Sequence, residues 1–147
     1  MLTKDFNPWK NVDEFDPMQF EDKSSELAQW PIKLWKAPIL SPYYHHAHLL
    51  IAADCSAFAY PEFHNTYAKG KVTLICCMET DFDVMSKISQ IFQHNTIKSV
   101  TVVKTDKDCC GDLTLAVMQA VKSSRLPVTV QVSSIFIDAE YVWEDAE

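Results

Sequence analysis

Apolar residues along this chain come in short, nearly unbroken blocks. Residues 47–53 read AHLLIAA, residues 71–77 KVTLICC, residues 98–104 KSVTVVK and residues 127–132 PVTVQV. Aliphatic and β-branched blocks of this length, without alternation, predict strands buried on both faces. Between the blocks the period changes. Residues 80–94 place Phe82, Met85, Ile88, Ile91 and Phe92 at three- and four-residue spacing, which predicts an amphipathic helix. Thr80 is its expected cap, with Asp83 at the capping-box position. Residues 112–123 predict a second helix through Leu113, Leu115, Ala116, Met118, Ala120 and Val121. Residues 61–69 predict a short helix that opens on Pro61 and stops at Gly70. Residues 32–34 and 135–137 are candidate short strands.

Strand, helix, strand, helix, strand is the βαβ signature of a parallel sheet covered by helices. The expected fold class is therefore α/β: a three-layer, mostly parallel sheet of about 4–5 strands with helices on both faces, Rossmann-like. Residues 1–29 stand apart. They carry seven carboxylates against three lysines, with Phe6, Trp9, Phe15, Met18 and Phe20 scattered without period. This predicts an acidic, aromatic N-terminal arm (1–29) ahead of one α/β domain (30–147), the arm's aromatics packing on the domain or on a partner.

Composition narrows the function. A formal charge of −7 over 147 residues argues against a nucleic-acid surface, which needs a clustered basic patch. No apolar run approaches the ~20 residues of a membrane helix. The opening MLTKDFNPWKNVDEF lacks the apolar core of a signal peptide, so a cytoplasmic location is expected. Only two glycines occur, Gly70 and Gly111, and neither GxGxxG nor GxxxxGK[ST] is present. A glycine-rich phosphate loop is thereby excluded.

The five cysteines change the picture most. In a reducing compartment, clustered cysteines indicate metal binding or thiol chemistry rather than a disulfide framework. Each cluster follows a predicted strand: Cys55 after the first, Cys76 and Cys77 at the end of the second, Cys109 and Cys110 after the third. Parallel strands end on one rim, the usual ligand-binding rim of open α/β sheets, so three segments deliver thiols to one neighbourhood. Thiols near helix N-termini are expected to have depressed pKa values and to be ready ligands for zinc or an iron–sulfur cluster. Adjacent Cys109 and Cys110 both serve only if the backbone turns sharply, a freedom expected from Gly111. Neighbouring strand residues point to opposite faces, so Cys77 is the rim residue and Cys76 belongs to the core. His45, His46 and His48 precede the first strand and fall on the opposite rim. His64, in PEFHNTY, can reach the cysteine rim as a further metal ligand. Asp54 and Asp108 each precede a cysteine and can support it by hydrogen bonds or cap the following turn.

The blocks LAQWPIKL, HLLIAADCSAFAYPEFH, KGKVTLICC and IKSVTVVKTDKDCCG extend from about Leu27 to about Val132. Together they resemble the domain that follows a ferredoxin module in microbial 4Fe–4S iron–sulfur cluster-binding proteins. The resemblance implies a cluster held by Cys55, Cys77, Cys109 and Cys110. The Cys-Pro-Lys that usually ends the central strand reads Cys77-Met78-Glu79 here. The ferredoxin module itself has no counterpart in these residues, where the acidic arm stands instead. A separate ferredoxin or other redox protein would then be the electron partner. The leading expectation is thus an iron–sulfur protein in electron transfer or redox sensing. A zinc domain, structural or hydrolytic, and a metal-free thiol-redox enzyme are the alternatives; a homo-oligomer is compatible with each.

Overall fold

The computed structural model describes residues 25–138. Its centre is a four-stranded sheet: β1 (His48–Ala53), β2 (Val72–Cys76), β3 (Ser99–Thr105) and β4 (Thr129–Ile135). All pairings are parallel, and the strand order is β2-β1-β3-β4. The helices are α1 (Ser56–Ala59), α2 (Val84–His94) and α3 (Leu113–Ser124). This is the α/β architecture the periodicity predicts, with four strands realised. The expected strand at 32–34 contracts to a single bridge from Lys33 to Ile75 on the outer edge of β2, while 135–137 partly extends β4.

The strand order fixes which face each connection covers. A right-handed crossover that moves one way along the sheet passes over one face, and one that moves the other way passes over the opposite face. From β1 the chain steps outward to β2, then returns past β1 to β3 and β4. On one face Leu49, Ile51 and Ala53 of β1, Leu74 of β2, and Val100 and Val102 of β3 pack against α2 and α3. These helices supply Ile88, Ile91 and Phe92, and Leu113, Ala116, Val117 and Ala120. On the other face Leu50, Ala52 and Val103 meet Phe63, Ala68 and Ile135. Burial on both sides explains why β1 and β3 lack alternation. The edge strand β4 is half-exposed along most of its length.

Three local expectations need correction. The helix expected over 80–94 begins only at Val84. Asp83 adopts a left-handed conformation (φ 56°), which does not continue a helix. Asp81 is drawn back instead: its N–H donates to the Cys77 carbonyl and its Oδ2 accepts from the Cys77 N–H, both at 2.9 Å. That closed turn holds Thr80 away from any capping role and leaves Phe82 77 % exposed rather than on the apolar face. The helix expected over 61–69 is shortened to a five-residue π turn, His64–Ala68, and the one-turn α1 precedes that range. The second helix keeps its place, but Leu115 and Met118 face outward.

Of the acidic arm, residues 1–24 lie outside the described residues. Residues 25–29 already touch the sheet, since the Gln29 side chain both donates to and accepts from the backbone of Thr73. Among the described residues no helix is long and apolar enough to cross a membrane.

Candidate functional site

The order β2-β1-β3-β4 makes the gap between the carboxyl ends of β1 and β3 the point where successive connections leave in opposite directions. Such switch points open a crevice at the rim. Cys55 follows β1 by two residues, Cys109 and Cys110 follow β3 within a 3-10 turn (Asp108–Cys110), and Cys77 directly follows β2. The Asp54 N–H donates to the Cys76 carbonyl at 2.9 Å and ties the first two ends together. All five cysteines are free thiols: Cys55 and Cys109 exposed, Cys77 intermediate, Cys76 and Cys110 buried.

Cys55 and Cys109 both respond to neighbouring thiols. Burial first, then the hydrogen bond and charge of Asp54, then the thiols of Cys77 and Cys109 push Cys55 up to about 11. Cys109 is raised by burial, then by Cys110, Glu79 and Cys77. Cys76 is pushed up to about 12, chiefly by burial, with Asp81, Asp54, Cys77 and Cys110 adding to it. The rim cysteines therefore form one electrostatic neighbourhood. The direction reverses the expected depression for Cys55 and Cys109. A single helical turn after Cys55 carries little dipole, and adjacent carboxylates and thiols oppose a further negative charge.

Around this neighbourhood stand three groups that the sequence did not single out. Asp81 fixes the Cys77 backbone. Thr105, the last residue of β3, places its Oγ1 3.1 Å from the Cys110 Sγ in a buried contact. Lys33 lies 3.6 Å from Asp54 Oδ2. Asp81 carried a readable signal, an acidic side chain four residues after a strand end, where it can close a turn. Lys33 carried none, because its approach to Asp54 depends on how the strand-edge segment folds back. Asp54 fills its expected supporting role through Cys55, whereas no described interaction gives the Asp108 side chain one.

Gly111 needs a different account from the expected one. Its φ of −54° is ordinary right-handed backbone, and its Cβ position would lie 3.2 Å from the Asp108 carbonyl oxygen. Close approach, not left-handed freedom, distinguishes the site. His64 is exposed on the π turn; its Nδ1 accepts from the Glu26 N–H at 3.3 Å, and its ring meets Phe63 edge-on. No described interaction ties it to a cysteine. His48 opens β1, with Nδ1 2.6 Å from Ser99 Oγ, so the histidine trio does occupy the opposite rim.

Among the described residues no three His, Cys, Asp or Glu side chains converge tightly enough to hold one metal ion. The thiols are gathered but not closed on a point. Such a set can bind a soft, multi-centre ligand or exchange disulfides through the neighbouring pair Cys109–Cys110.

The raised Cys55 thiol gives a direct check. Alkylation of Cys55 by iodoacetamide, followed by mass spectrometry, is expected to accelerate up to about pH 11, far above an ordinary thiol near ~8.5. Asp54→Asn removes a negative charge that penalises the thiolate, so the profile shifts to lower pH. A wild-type midpoint near that of free cysteine would contradict the assigned environment.

A family model described as Rossmann-like domain matches residues 41–147, more than two thirds of the chain. The chain belongs to this Rossmann-like domain family. No curated protein and no solved structure matches it.

Proposed function

We propose that this Rossmann-like domain is an iron–sulfur protein of electron transfer or redox sensing, with Cys55, Cys77, Cys109 and Cys110 holding a 4Fe–4S cluster. The observation that carries the reading is the delivery of four thiols from three strand ends into one electrostatic neighbourhood. The donor chemistry fits: soft thiolates are the ligands of such clusters, and nearby Lys33 is already engaged by Asp54. A 4Fe–4S cluster takes four thiolates, one to each iron, and the rim cysteines supply that number; a single tetrahedral ion would need them drawn onto one point.

A bound cluster would supply one-electron chemistry. The chain's own residues set its surroundings. Asp81 anchors the Cys77 loop through the backbone. Once Cys110 loses its proton, the Thr105 hydroxyl can only donate to the sulfur, and such hydrogen bonds tune cluster potentials. Five free cysteines fit a reducing, cytoplasmic compartment, and a ferredoxin-type carrier fits as the electron partner.

Anaerobic purification with iron and acid-labile sulfide analysis tests the reading. The expected result is a brown protein with iron and sulfide in equal amounts. A colourless protein without either, after reconstitution, would sink it. Stoichiometric zinc with no visible absorption would transfer the site to the zinc alternative.

A further inference from the structure

Beside the cysteine rim, on the outer side of β2, lies a groove of about 550 Å³ lined by Lys33, Trp35, Lys36, Thr80, Asp81 and Phe82. Its size is within the roughly 300–1,000 Å³ of small-molecule sites. Two large aromatics form its apolar wall: Trp35 is 61 % and Phe82 77 % exposed. Their rings meet edge to face, 6.2 Å apart and at 83°. Phe82 belongs to the apolar stripe of its segment, yet the Cys77–Asp81 turn and left-handed Asp83 hold it out of the core. A local rule broken in this way, at a loss of buried area, marks a place where exposure serves a purpose.

The charges point to the ligand. On a chain of net charge −7, the groove presents two ammonium groups. Lys33 is held by Asp54, and Lys36 makes no ion pair among the described residues. The one carboxylate in the lining, Asp81, is turned to the Cys77 N–H. No glycine-rich loop is available to cradle a phosphate through backbone N–H groups. Recognition must therefore come from side chains: a flat body against an exposed ring face of the aromatic pair and a negative group on Lys36. We propose that this groove binds a planar aromatic anion of mononucleotide size. The groove shares Asp81 and Lys33 with the surroundings of the thiols, while Trp35 and Lys36 have no described interaction with a cysteine.

Titration of the full-length protein, as purified, with flavin mononucleotide, ADP, riboflavin and inorganic phosphate tests this by calorimetry and tryptophan fluorescence. Flavin mononucleotide and ADP are expected to bind. Riboflavin, which lacks the charge, and phosphate, which lacks the flat body, should each bind at least about tenfold more weakly. Trp35→Ala and Lys36→Gln, both exposed and away from the thiols, should each weaken the anion by about tenfold with the melting temperature unchanged. Absence of binding by both charged ligands up to millimolar concentration would overturn the proposal. Unchanged affinity in both variants would do the same, since binding would then lie elsewhere. Iron content measured on the same samples keeps the two readings apart: anion binding without iron sinks only the cluster, and iron without anion binding sinks only the groove.

Discussion

Serine at Cys55, at Cys77 or at Cys109 is expected to strip most of the iron and sulfide from the protein, whereas alanine at Cys76 leaves both in place. Each of the first three thiols lies at a separate strand end, so losing any one removes a whole segment from the ligand set. A hydroxyl is a poor substitute for a soft thiolate. Cys76 is 1 % exposed and packs under α2 and α3 with Leu74 and Val84, so its sulfur contributes to the core instead. Its loss is expected to cost about 1 kcal/mol of stability and to leave the absorption spectrum unchanged. Iron-to-protein ratios and thermal melts of the variants give both readouts. Iron loss in the Cys76 variant with iron retained in the Cys77 variant would show that the ligand has been assigned to the wrong neighbour.

Alanine at Phe92 is expected to remove about 3–5 kcal/mol of folding stability, a large part of what a domain of this size possesses. Phe92 is among the largest fully buried side chains and lies with Ile88 and Ile91 under α2, against the sheet. Removing the ring leaves a cavity beneath a helix that also packs on α3, so little can collapse to fill it. Leu115→Ala, on the exposed side of α3, should change stability by less than about 0.5 kcal/mol. Urea unfolding of the two variants measures the contrast. Comparable losses would mean that the face assignment of α3 is wrong.

The fold was legible wherever a pattern persisted over several residues. In β1 and β3 every side chain from Leu49 to Ala53 and from Val100 to Val103 is buried, as unbroken apolar runs require. Boundaries were not legible where a tertiary or turn contact competed with periodicity. Phe82 has the right spacing for the α2 stripe, but the Asp81 carboxylate is taken by the Cys77 backbone. Residues 61–69 contain a helix-compatible sequence. There the chain instead makes a π turn, with the Lys69 N–H donating to the His64 carbonyl at 3.0 Å.

The thiol site divides the same way. Sequence alone determined that three strand ends carry cysteines, because strand periodicity and cysteine position are both local. From these it followed that parallel strands would present them on one rim. Only the tertiary structure decided their chemical surroundings. Lys33 meets Asp54 across a fold-back of the chain, Thr105 meets Cys110 across a turn, and the thiols of Cys77 and Cys109 raise the proton affinity of Cys55. Those effects depend on how separate segments and turns come together and on exclusion of water, and strand periodicity encodes neither. The four rim cysteines therefore came from the sequence, while the raised proton affinity of Cys55 and Cys109 came from packing.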